Sequence, residues 1–116
     1  MKIAQDTQRL SNLIKYEYDP ATRHCRDQIN APLRDVKIGE LIDDTGAIAT
    51  DAANIAGIVV EDKPAALYGD ATFMPVAVLA RGIAGVSEVG LVLNGLDLDA
   101  VKAALLAKDI KVVETF

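Results

Sequence analysis

The sequence contains no tryptophan, one cysteine (Cys25) and one histidine (His24), and aromatic residues make up only 4% of it. With so few rings, a stacking platform for single-stranded nucleic acid is not expected. A single cysteine forbids an intrachain disulfide and fits assembly in a reducing cytoplasm. His24 and Cys25 are neighbours in the chain. Neighbours on a strand point to opposite faces, so the two make a poor nucleophile–base pair, and a structural role for both is the simpler reading.

Long apolar runs and surplus positive charge are missing as well. No stretch approaches the ~20 consecutive apolar residues that span a bilayer. The opening MKIAQDTQRL has no apolar signal core, so neither secretion by that route nor membrane insertion is expected. The net charge is −5, which gives no general electrostatic reason to bind DNA, RNA or an anionic membrane. There is no GxGxxG, no P-loop and no EF-hand loop, so neither a phosphate site nor a calcium site is read. Internal repeats and low-complexity tracts are absent too.

What is present is 116 residues that are 51% apolar. That is the size of one domain, and about two-thirds of the unfolded surface can be buried at this length. The core must be built from Val, Ile, Leu and Ala. Charge is uneven: residues 1–35 carry six Lys/Arg against five Asp/Glu, and residues 36–116 carry six against twelve. A near-neutral front on an acidic body implies that the two parts meet different surroundings.

Two Val- and Ile-rich runs, Ile55–Val60 and Val76–Ala80, flank a polar connection and read as a central pair of strands. Residues 1–11 are polar and aperiodic and are expected to form a mobile arm. Asn12–Tyr18 alternates, with Ile14, Tyr16 and Tyr18 on one apolar side, and ends at Asp19-Pro20. Residues 21–35 show no clean period. Val36–Ile42 reads as a strand, Asp43-Asp44-Thr45-Gly46 as a turn, and Ala47–Thr50 as a short return strand. Gly82, Gly85, Gly90 and Gly95 imply bent or bulged β structure, with a strand at Val89–Leu93. Leu98–Lys108 reads as a helix capped by Asp97 or Asp99, with Leu98, Val101 and Leu105 on one face. Ile110–Glu114 reads as a closing strand.

The order of these parts resembles the bacteriophage head decoration proteins of the lambda-type capsid decoration family. The resemblance runs over roughly residues 12–116. It is carried by NLIKYEYDP and CRD, then VKIGELI, GIVVED, PVAVLARG and a final LDLDAVKAALLAKDIKVVE. It lies in the succession of segments and not in any one of them. It implies a mainly β fold with one C-terminal helix: a small β-barrel or β-tulip-like single domain, residues 12–116, behind an extended N-terminal arm, residues 1–11. It further implies a non-enzymatic homotrimer without cofactor, made in the bacterial host cytoplasm and carried on the exterior of the virion. There it would bind the major capsid protein at three-fold and quasi-three-fold sites of the expanded shell and cement it. No nucleic acid, membrane or small-molecule substrate is expected as a partner.

The capsid-contacting residues expected on this basis are Ile3, Leu10, Leu13, Ile14, Tyr16 and Tyr18 in and after the arm. Arg23, Arg26 and Arg34 are a candidate basic contact patch; ordinary surface charge is the alternative. Glu61-Asp62-Lys63 gives a competing reading, a lipoyl- or biotinyl-like carrier domain, or another small β-barrel module of an enzyme complex. Such domains present a lysine at a hairpin tip, but here Pro64 follows the lysine and a C-terminal helix is foreign to that pattern. Asp43, Asp44, Asp51, Asp97 and Asp99 could ligate a metal ion, although capping and turn roles account for them more simply.

Overall fold

A computed structural model of the chain describes residues 13–19, 21, 22 and 24–113. The expectations placed on residues 1–11, including Ile3 and Leu10, and on Arg23 lie outside the described residues. The strands are β1 (Ile14–Glu17), β2 (Arg26–Pro32), β3 (Leu41–Ile42), β4 (Gly57–Val59), β5 (Phe73–Leu79), β6 (Ala84–Ser87) and β7 (Ile110–Val113), with helix α1 (Leu98–Leu106) between the last two. They form a three-stranded sheet in the order β1-β6-β7 and a four-stranded sheet in the order β2-β5-β4-β3. The described domain is mainly β with one helix near its C-terminus. Among the described strands β6 and β7 alone pair in parallel, and α1 lies on the connection between them, as a parallel crossover requires.

The apolar runs that read as a central pair are the two inner strands of the larger sheet. Ile58 pairs with Leu79 and Val59 with Val78. Because side chains alternate, the pair feeds two cores. Ile58 and Leu79 face the smaller sheet and join Leu13, Leu41, Ala84, Val86, Ile110 and the helix residues Val101 and Leu105. Val59, Val76 and Val78 face the other way and join Ala31, Val36, Ile42 and Met74, with Leu33 and Tyr68 packed against them. A sheet buried on both faces explains why these runs are continuously apolar. Helix α1 begins where the sequence places it: the Asp97 carboxylate accepts the Ala100 N–H at 3.1 Å.

Elsewhere the sequence reading is corrected. Val36–Ile42 is not one strand, because Gly39 adopts φ +96° and a Cβ there would collide with the Gly90 carbonyl. What remains is a bridge from Val36 to Lys63, another from Glu40 to Val92, and the two-residue β3. The expected return strand Ala47–Thr50 reduces to a single bridge from Ile48 to Ile42. Val89–Leu93 contains one bridge only; Glu88–Gly90 forms a 3-10 turn capped by the Ser87 hydroxyl, which accepts the Val89 N–H. In the aperiodic stretch 21–35 lies β2, as long as β5 and paired with it along its whole length.

Candidate functional site

A surface group of large side chains is built around β1. The strand is bulged between Ile14 and Tyr16, and this sets which residues face inward. Directly opposed residues share a face, so Glu17 lies on the core side with Ala84 and Ile110, and Tyr16 lies on the outer side with Gly85 and Lys111. The Tyr16 ring rests over Gly85, where any added Cβ would strike it. The Tyr18 N–H donates to the Ile83 carbonyl at 2.8 Å, and its ring stands edge-on to His24 at 5.6 Å. Tyr16, Tyr18 and Ile83 are 46%, 57% and 62% exposed, a cluster of large side chains held in water by a sheet and a backbone hydrogen bond.

The expected contact residues therefore divide. Leu13 is fully buried and Ile14 packs against the same core, so Leu13 is corrected from a contact residue to a core residue. Tyr16 and Tyr18 face outward. The expected single apolar face of Ile14, Tyr16 and Tyr18 does not form, because the bulge turns the tyrosines away from the core.

Arg26 and Arg34 are not brought together. Arg26 opens β2 and Arg34 lies two residues past its last residue, Pro32, so the length of the strand stands between them. Each is consumed within the chain. Arg26 Nε and Nη2 donate to Glu17 Oε2 and Oε1, both at 2.8 Å. Arg34 Nη1 donates to Glu40 Oε1 and to the Asp35 carbonyl, each at 3.0 Å. Arg81, which the sequence reading passed over, pairs with Asp27 and donates to the His24 carbonyl at 2.6 Å. The Arg81 guanidinium holds the Asp27 carboxyl below the ordinary range.

Glu61-Asp62-Lys63 is a structural device. The β4–β5 ladder stops after the Val60 N–H reaches the Ala77 carbonyl. Beyond that point the Glu61 carboxylate accepts the Ala77 N–H at 2.7 Å, and the Lys63 ammonium donates to the Pro75 carbonyl at 2.7 Å. Two side chains thus replace the missing strand. Pro75 fits inside β5 because its absent N–H would have faced this same gap. Asp62 accepts the Ile38 N–H at 2.8 Å. Lys63 also pairs with Glu61 at 3.3 Å and lies over the Tyr68 ring. Tyr68, and after it Glu61, raises the Lys63 amine above its ordinary value. An amine held this way is not presented at a hairpin tip, so the geometry speaks against a carrier lysine.

Cys25 is buried, with Sγ 3.6 Å from the carbonyls of Tyr18 and Ile83, whereas His24 is exposed. Asp43, Asp51 and Asp97 serve turns and caps. Asp43 Oδ1 accepts from Thr45 N, Thr45 Oγ1 and Ala47 N, and the Thr45 hydroxyl is the chief cause of a lowered Asp43 carboxyl. Asp51 caps a 3-10 turn through the Ala53 N–H. Asp43 and Asp44 line a cleft of about 500 Å³ with Asn54, Ile55 and Lys108. Among the described residues, no group of three or more His, Cys, Asp or Glu side chains could hold a metal ion.

No family model, curated protein or solved structure matches the chain.

Proposed function

We propose that the chain is a structural decoration protein that binds the exterior of an expanded phage capsid and stabilises it. In this reading the two sheets form the barrel-like body, residues 1–11 are an arm laid against the shell, and three copies act together. The observation that carries it is the exposed group of Tyr16 on β1, Tyr18 just past the end of that strand, and Ile83, whose carbonyl accepts the Tyr18 N–H. Large amphipathic rings fixed on a sheet lose little entropy when covered, which suits a protein interface. Each contact is modest, and avidity across copies makes attachment tight. Binding only the expanded shell then stabilises that form by mass action.

The test is co-sedimentation with expanded and unexpanded phage capsids. Retention on expanded shells, weakened in a Tyr18→Ser variant and in a chain lacking residues 2–11, supports the reading. Binding to neither shell overturns it. Light scattering of the shell-bound protein after release checks the trimer.

A further inference from the structure

The outer edge of β2 carries backbone groups that nothing in the described structure uses. In the β2–β5 ladder the Cys25 carbonyl accepts the Ala80 N–H, and the Leu33 N–H donates to the Thr72 carbonyl. Bonding alternates along an antiparallel strand, so odd-numbered residues of β2 face β5 and the backbone groups of Arg26, Gln28 and Asn30 face outward. No hydrogen bond among the described residues takes the N–H or carbonyl of Arg26 or Gln28, or the N–H of Asn30. The Asn30 carbonyl is screened, because the 43–47 turn brings Gly46 against it. Pro32 closes the far end with its missing N–H on this same outer side.

The other edges are managed. β3 is two residues long and is covered by Ile48 and by the Ala49 N–H, which donates to the Leu41 carbonyl. β1 is interrupted by its bulge, and β7 has four residues. An open, unbulged edge invites another strand unless charge guards it. Here the centre, Gln28-Ile29-Asn30, is uncharged, and the flanking charges are already neutralised, Arg26 by Glu17 and Asp27 by Arg81.

We propose that the Arg26–Asn30 edge of β2 is a strand-addition site for an extended, neutral or basic segment of a partner polypeptide. Main-chain hydrogen bonds to Arg26, Gln28 and Asn30 supply the affinity. The chain's net charge of −5 selects the occupant: it disfavours an acidic segment and tolerates a neutral or basic one. The proposal does not depend on which surface the protein decorates.

The experiment uses the full chain and a capped peptide of alternating threonine and valine with a lysine at each end, followed by amide NMR and hydrogen exchange. Shifts and several-fold slower exchange at the Gln28 and Asn30 amides, lost when alternate peptide nitrogens are methylated, support the site. A peptide with glutamate in place of the lysines should bind several-fold more weakly. Gln28→Pro removes an outward N–H and should abolish the response in a folded protein; Asn30→Lys, which disturbs no buried group, should weaken it. No response up to millimolar peptide overturns the proposal, as does equal binding of the acidic peptide. If both amides are protected without peptide and light scattering gives a dimer, the edge belongs to a second copy and the partner assignment falls.

Discussion

Arg26 and Glu17 join the two sheets at one corner of the molecule. Glu17 comes from the core side of β1 and Arg26 from the start of β2, and two hydrogen bonds of 2.8 Å lock them in a bidentate pair. The Glu17 side chain is only 5% exposed and that of Arg26 23%. Removing one partner leaves a charge with little water around it. Glu17→Met should cost about 2–4 kcal/mol, whereas the double change Glu17→Met with Arg26→Met should cost much less than the sum of Glu17→Met and Arg26→Met alone. Urea denaturation of the four proteins measures this. A single-variant cost under about 0.5 kcal/mol would show that the pair is surface-like.

Gly85 and Tyr16 form a second coupled pair. A side chain on Gly85 meets the Tyr16 ring. Gly85→Val should destabilise by about 1–3 kcal/mol through overpacking. Adding Tyr16→Ala should recover part of that loss, and thermal unfolding of the single and double variants checks it. Additive losses would mean the ring is not what the new side chain meets.

Lys63→Met leaves the Pro75 carbonyl without its donor and Glu61 without its counter-ion. A loss of about 1–3 kcal/mol is expected. The Lys63 value is raised in the folded state, so its stabilising share is full below the unfolded value near 10.5 and disappears as pH climbs through the raised one. The wild type should lose stability on going above that pH, and the variant should lose less. In the same preparations, intact mass after native expression should equal that of the chain alone. An adduct on Lys63 would revive the carrier reading.

At the acid end the sign reverses. The carboxyls of Asp43 and Asp27 are lowered, by the Thr45 hydroxyl and by Arg81 respectively. Their stabilising share is full above the ordinary value of 3.8 and is lost as pH falls below it through the lowered values. Asp43→Ala should destabilise at neutral pH and flatten the drop in urea midpoint between neutral pH and pH ~3. An unchanged acid slope would show that the turn does not need the ionised carboxyl.

Leu105→Ala tests the larger core. The side chain is fully buried and points from α1 toward both sheets. A loss of about 2–5 kcal/mol is expected. Leu106, its exposed neighbour, should tolerate alanine with under about 0.5 kcal/mol.

Local chemistry alone determined several features. The Val59 and Val78 runs read as buried strands, since β-branched apolar residues tip a short run between turns toward a pleated surface and away from a helix. A helix had to start at Asp97 or Asp99, and Asp43 through Gly46 had to turn. Contacts between distant segments decided the rest. β2 was hidden because its inward positions, Asp27, Ile29 and Ala31, carry only one large apolar side chain; pairing with β5 makes it a strand. The backbone of Gly39 broke an expected strand because the Gly90 carbonyl lies against it. The bulge in β1 parted Ile14, which packs on the core, from Tyr16, which faces water, against the simple alternation. Glu61 and Lys63 looked like loop charges until the ladder they complete was in place. Hydrophobic pattern is a local signal, but which backbone groups lack a partner is known only once every strand has found its neighbours.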